Sequence, residues 1–311
     1  MRPPVRIVWL APAALAVAGC QVVPASDAPP PPEEVIAVAA PVIQPVPPPP
    51  SAPPPPIPLT PFTYAGELTQ GGWIRGQAPT GTVAARLGEQ ALVLDEQGRF
   101  FAAFDRDAGN QAVLIATLAD GRQVTETLAV SPRDWQIERV NVARSPGGSS
   151  AAFMERRRPE LARINAAREV NAQSQGWTQQ FIWPVTGRIS GRFGSQRIYR
   201  GGEAGAYHSG LDIAGGNGTT YVAPADGVVT LATDQPFSLE GYLLIIDHGH
   251  GLNSAFLHNS ALLVREGDVV RQGQPIARIG STGRSTGPHL HWGIKWRDAR
   301  LDPLLFLGPM P

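Results

Sequence analysis

Apolar and polar residues alternate along most of the chain with the two-residue period of strands, and only one stretch switches to the period of a helix. Between Phe62 and Val142 the runs "GWIRG", "TVAARL", "QALVLDEQGRFFAAF", "QAVLIATLADGRQVTETLAV" and "WQIERVNV" are separated by turns, with Gln97-Gly98 and Asp120-Gly121 as hairpin signals. Residues 62–142 therefore predict a small all-β sandwich of about seven strands. The break "SPGGSS" (Ser145 to Ser150) follows. Then "RPELARINAAREVNAQ" sets Leu161, Ile164, Ala167 and Val170 along one side, with Pro159 at a first helical position. Residues 143–176 predict a helical connector. From Trp177 the glycine-punctuated runs "GRISGRFG", "GVVTLATD", "YLLIIDHG", "SAFLHN", "PIARIGSTG" and "HLHWGIKW" predict an antiparallel β domain over residues 177–311. The fold class is mainly β.

The amino terminus departs from this pattern. "MRPPVRIVWLAPAALAVAGC" places Arg2 and Arg6 before an apolar run and small residues, the layout of a secretory signal peptide over residues 1–19. The run of about a dozen apolar residues falls short of the roughly 20 that a helix needs to cross a bilayer. Its ending, "VAGC", resembles a lipobox, at which Cys20 would be lipidated and become the new amino terminus. That accounts for the only cysteine in the chain without a disulfide partner. Gln21, where Asp would favour inner-membrane retention, implies the outer membrane. Residues 20–61 read as a lipid-anchored proline-rich linker, and about 35 residues of polyproline II reach on the order of 100 Å.

Charge narrows the partners. Lys and Arg number 26 and Asp and Glu 26, with Lys295 the only lysine, so the basic footprint of a nucleic-acid binder is missing. All six histidines fall within residues 177–311. His289 and His291, two apart on a strand, project to one face. In "AYHSGLDIAGG", His208 and Asp212 are four apart, and the surrounding glycines favour a bend feeding a strand over a helix. His208, Asp212 and one of the two later histidines make three protein ligands with a fourth position left for water, the pattern of catalytic zinc. There is no HExxH helix to supply the usual glutamate base, and a non-ligand histidine can take the proton of a bound water or stabilise developing charge.

"HSGLD" (His208 to Asp212), "SAFLHNS" with His258, and "GSTGRSTGPHLHW" (Gly280 to Trp292) resemble the lysostaphin-type, or LytM-like, zinc metallopeptidases, over about Phe181 to Phe306. The resemblance implies a lysostaphin-like antiparallel domain with His208, Asp212 and His291 as zinc ligands and His258 and His289 as catalytic histidines. It implies an endopeptidase that hydrolyses peptide cross-links of peptidoglycan, on a D-Ala-to-diaminopimelate bond, from a lipid anchor at the periplasmic face of the envelope. The same fold includes members that have lost zinc ligands and activate separate cell-wall amidases; this sequence retains every expected position. "VREGDVVRQGQPIARIGSTG" resembles the turns of lipoyl carriers, but Lys295 follows the HxH strand and is not at a hairpin tip. His248 and His250 in "DHGHG" read as surface turn residues. Arg156, Arg157 and Arg158 read as a solvated helix entrance. Arg192 and Arg197 flank the expected groove, and neither Tyr199 nor Tyr207 is assigned a role.

Overall fold

A computed structural model describes residues 59–143 and 150–311, all within the compact unit Pro54–Pro311. The signal segment, Cys20 and residues 20–58 of the linker lie outside the described residues.

Seven strands form two antiparallel sheets: β1 (Thr63–Gly66), β2 (Trp73–Gln77) and β5 (Arg99–Ala103) in one, β3 (Thr82–Leu87), β4 (Gln90–Ala91), β6 (Gln111–Leu118) and β7 (Gln123–Ala129) in the other. On β6 the alternation buries Leu114, Ala116 and Leu118. On β5 it fails, because Phe100 to Ala103 are all buried. Both faces of that strand are covered: Phe100 meets Phe62 edge-on, while Phe101 packs on Trp296 and Phe306 of the carboxy-terminal part. One hydrophobic core thus runs from Phe62 to Phe306. Asp120-Gly121 closes the β6–β7 hairpin as expected. Gln97-Gly98 is a turn between sheets instead: β4 pairs with β3 and β5 with β2, and the Asp95 carboxylate accepts the main-chain N–H groups of Gln97 and Arg99 to make the corner. The "WQIERVNV" run also leaves the sandwich. Its strand β8 (Ile137–Arg139) pairs in parallel with β10 (Gln196–Ile198).

Eight strands form the large antiparallel sheet, in the order β17 (Val269–Val270), β13 (Gly227–Ala232), β14 (Tyr242–Gly249), β15 (Leu252–Asn259), β19 (His289–Trp296), β11 (Leu211–Ala214) and β9 (Ile189–Gly191), with β20 (Ala299–Leu301) also on β19. A small sheet of β12 (Thr220–Val222), β18 (Pro275–Arg278) and β16 (Ala261–Leu262) packs beside it. On β19 alternation is strict: Leu290, Trp292, Ile294 and Trp296 are buried in the common core, so His289, His291, Gly293 and Lys295 face the other way. The mainly β, antiparallel expectation is borne out.

Helix α1 (Ala151–Glu169) covers part of that second face, its Ile164 and Ala167 packing with Leu243, Ile245, Ala255 and Leu257. Ala255 pairs with Gly293 and Leu257 with His291, so α1 stands on the same side of the sheet as the two β19 histidines. The helix begins eight residues earlier than the proline predicts: Ser150 caps it, its Oγ accepting the Phe153 N–H at 3.2 Å, and Pro159 is interior. An interior proline costs about 3 kcal/mol in a free helix; here the cap and the buried side chains of the later turns offset it. The three arginines are not uniformly solvated either, since Arg157 is buried in ion pairs with Glu160 and Glu240.

Candidate metal centre

The sheet register brings the candidate ligands together. Asp212 on β11 is the direct antiparallel partner of His291 on β19, and Ala214 is that of His289. Because Leu211 and Ile213 are buried in the core, Asp212 must point to the face that carries His289 and His291. His208 lies in the bend before β11, its backbone tied to Ser195 and Gly194. His208 Nε2, Asp212 Oδ1 and His291 Nδ1 converge: Asp212 Oδ1 is 2.8 Å from His291 Nδ1 and 3.1 Å from His208 Nε2, and the two nitrogens are 3.1 Å apart. A Cβ at Gly210 would sit 2.8 Å from His291 Nε2, and one at Gly191 only 2.4 Å from Asp212 Oδ2, so both glycines are needed for the close approach.

His258 reaches the site by a different device. Leu257 points toward α1, so on a regular strand His258 would point away from it. The β14–β15 register shifts between Tyr242 and Leu244, and His258 takes a left-handed φ of 65°. This bulge re-aims the ring, leaving its centroid 5.1 Å from that of His289 and 6.1 Å from that of His291. His289 Nε2 lies 3.7 Å from Asp212 Oδ1.

Main-chain carbonyls fix the tautomers of three of the four rings. The Nδ1–H groups of His208, His258 and His289 donate to Arg192 O at 3.0 Å, Thr282 O at 2.9 Å and Gly287 O at 2.8 Å, which leaves each neutral Nε2 with a free lone pair. Burial pushes the Asp212 carboxyl up, but the hydrogen bonds and charge of His208 and His291 outweigh it and hold the group well below the usual carboxylate range. Burial lowers His208, yet Asp212 and Arg192 O together raise it above its ordinary value. Burial dominates for His258 and His291, and both stay below the ordinary imidazole value despite their partners. An ionised carboxylate beside two imidazoles is a donor set suited to zinc.

Other expected surface residues are engaged elsewhere. His248 and His250 are buried, a correction to their reading as surface turn residues. His248 Nδ1–H donates to Asp226 O, its Nε2 accepts from Ser254 Oγ, and His250 stacks on Trp177 at 4.0 Å. Arg197 pairs with Glu138 of β8. Tyr207 lies under the Arg106 guanidinium and accepts from Arg300. Arg192 contributes its carbonyl, not its guanidinium, to His208. No sequence signal marked the Arg192, Thr282 and Gly287 carbonyls, because main-chain acceptors carry no residue identity.

Residues 206–303 match peptidase family M23. The chain carries an M23 peptidase domain. Its resemblance to the lysostaphin-type peptidases is thereby borne out. Over 211 residues the chain is 32% identical to the murein hydrolase activator NlpD of Salmonella dublin, an alignment spanning 65% of this chain and 52% of that one. Over 123 residues it is 39% identical to the peptidoglycan DD-endopeptidase ShyA of Vibrio cholerae, spanning 40% of this chain and 28% of that one. The chain thus spans about half, or less, of the length of these curated relatives. The crystal structure of a candidate M23 peptidase from Pseudomonas aeruginosa aligns with TM-score 0.57 at 26% identity, covering 76% of this chain and 93% of that one. That coverage extends well beyond residues 206–303 of the M23 domain.

Proposed function

We propose that the chain is a zinc-dependent endopeptidase that hydrolyses peptide cross-links of peptidoglycan, anchored through a lipidated Cys20 at the periplasmic face of the outer membrane and reaching its substrate on the linker of residues 20–61. The carrying observation is the cross-strand pairing of Asp212 with His291, completed by His208, which yields three converging donor atoms. His208, Asp212 and His291 would hold the zinc, which when bound supplies Lewis acidity toward a carbonyl and acidifies water. The Asp212 carboxylate would neutralise part of the metal's charge, and the Arg192 carbonyl keeps His208 in the tautomer whose Nε2 can ligate. His258 and His289 carry no ligand duty in this arrangement. Each offers an unprotonated Nε2 on the same side of the sheet, so the pair can accept a proton from the attacking water and return one to the leaving amine. Burial lowers the pKa of His258, which favours the neutral ring that can accept a proton. The similarity to a DD-endopeptidase supports a cross-link between D-Ala and diaminopimelate as the bond cut.

A second reading is favoured by the similarity to murein hydrolase activators: a cell-wall-binding regulator that switches on a separate amidase. The complete ligand set argues for turnover. The test is to incubate the full chain with peptidoglycan sacculi and follow cross-linked dimers by chromatography, beside His291→Ala and chelator-treated samples, with zinc measured in each. Conversion of dimers to monomers by the intact, zinc-loaded chain alone supports the peptidase. His258→Ala and His289→Ala should then keep zinc and lose about 10²–10⁴-fold in rate. One equivalent of zinc with no dimer cut would overturn the peptidase reading and favour the activator.

A further inference from the structure

Of the three consecutive arginines, Arg157 is the one turned inward, at 6% exposure. Its guanidinium donates from one nitrogen to Glu160 Oε2 at 2.8 Å and to Glu240 Oε2 at 2.6 Å, and from the other to Glu240 Oε1 at 2.5 Å. Glu160, on the next turn of α1, accepts both the N–H and the hydroxyl of Ser238, at 2.8 and 2.7 Å. Two neighbouring turns of the helix therefore grip the loop between β13 and β14. That loop in turn grips His258. The Glu240 carbonyl accepts the His258 N–H at 2.8 Å, and the Leu239 carbonyl accepts the N–H of Arg284 at 2.9 Å. Tyr242 N–H donates to Thr282 Oγ1 at 2.9 Å, and the Thr282 carbonyl accepts His258 Nδ1–H. The main chain of His258 is thus held by Glu240 itself, and its ring by Thr282, whose hydroxyl is tied to Tyr242, two residues beyond Glu240.

The conformation so held is not one that a histidine adopts freely, since its φ of 65° lies in the left-handed region. Such a residue persists only where its surroundings over-determine it. We propose that Arg157 is a positioning residue for His258: through Glu240 it holds the left-handed turn that aims the imidazole into the metal centre, so that α1, outside the M23 residues 206–303, belongs to the catalytic apparatus. This rests on the reading of His258 as an acid–base group of the proposed peptidase. Only a planar fork can bridge two carboxylates in this way, and removal of Arg157 takes the counter-charge from both. A displacement of about 1 Å in a catalytic group costs on the order of 100-fold in rate.

The test uses the zinc-loaded full chain with Arg157→Ala, Arg157→Lys and Glu240→Gln, and Arg158→Ala as the exposed control. Each is assayed for zinc content, for kcat and KM on a soluble cross-linked muropeptide, and for His258 amide exchange and ring tautomer by nitrogen-15 NMR. The expected result is one zinc throughout, a kcat lowered about 10–100-fold with KM within twofold for Arg157→Ala, and a smaller loss for Arg157→Lys. His258 amide exchange should accelerate and its Nδ1–H signature weaken, with Arg158→Ala unchanged in every respect. Unchanged kcat, amide exchange and tautomer in Arg157→Ala would overturn the proposal and leave the pair a purely structural clamp. Should that variant fail to fold, Glu240→Gln decides between the two on the same readouts. Should the wild-type chain cut no peptide, the peptidase reading falls, while the two NMR readouts still decide the positioning role.

Discussion

Two histidine pairs with the same spacing stand on the large sheet or at its hairpin turn, and the two do opposite things. His289 and His291 stand on β19 at 16% and 12% side-chain exposure, beside a carboxylate that the sheet register sets directly opposite. His248 and His250 stand at the far end of the β14–β15 hairpin from His258, roughly 27 Å along β15 at ~3.4 Å per residue. They are buried, and their ring partners are main-chain, hydroxyl and aromatic groups. His248 links Asp226 O to the Ser254 hydroxyl, which also receives the Trp292 indole N–H. Spacing alone therefore does not make a metal site. The neighbouring strand must deliver an anion to the same face, and the rings must keep a path to solvent.

The largest effect should come from removing that anion. Asp212→Ala is expected to lower zinc affinity by at least about 100-fold and to abolish cleavage of sacculi, whereas His248→Gln should keep one zinc. Metal analysis after dialysis against a weak chelator makes the comparison. An Asp212→Ala chain that retains a full equivalent of zinc would mean that the cross-strand carboxylate is not what separates the two pairs.

Much of this was legible in the sequence, and the exceptions share a cause. HxH at the head of one strand set His289 and His291 on one face, because strand alternation is strict wherever one side is core, and HxxxD offered His208 and Asp212 through a bend; which of the two later histidines ligates came only from family likeness. His258 was legible only through family likeness, since its aim depends on a bulge and a left-handed φ that no local residue announces. The difference between His248 and His289 was not legible, because it lies in what packs over each strand: Phe181 and the common core over one, a partly exposed face over the other. Arg157 was read as solvated for the same reason, its partner Glu240 being 83 residues away. Local pattern gives the face of a strand, whereas tertiary packing decides whether that face is wet.

A smaller effect follows from the buried pair's chemistry. Burial, only partly opposed by Asp226, depresses His248 to about 4. An unfolded histidine protonates near ~6.5, so between these values the unfolded chain binds more protons than the folded one. The contribution of His248 is therefore full above pH 6.5 and is lost as pH falls toward 4. Over that window it amounts to on the order of 2–3 kcal/mol. Urea unfolding of chelator-treated wild type and His248→Gln at pH 7 and pH 4.5 should show the variant losing less stability on acidification by about that amount. Using metal-free protein on both sides cancels the titration of His208 and His291. Equal losses would place the His248 ring in contact with solvent and erase the contrast with β19.

The smallest effect sharpens the comparison most, because it asks whether His250 needs to be a histidine at all. Its ring lies flat against Trp177 with 16° between the planes, its Nδ1 is buried without a hydrogen-bond partner, and burial keeps it below the ordinary imidazole value. The ring's favourable contact is the aromatic stack, and its unpartnered nitrogen is a cost, while its main-chain carbonyl accepts the Trp296 indole N–H whatever the side chain. His250→Phe keeps the stack and removes that polar atom. Its stability should change by less than about 1 kcal/mol, since relief of the unpartnered nitrogen is set against the left-handed φ of 53°, which phenylalanine adopts less readily than histidine. Zinc content and cleavage should match wild type, whereas the same exchange at His291 should abolish both. A His250→Phe chain that stayed folded and zinc-loaded yet lost cleavage would show that the second pair serves the reaction from the far end of the hairpin, and spacing would regain the meaning that the packing denies it.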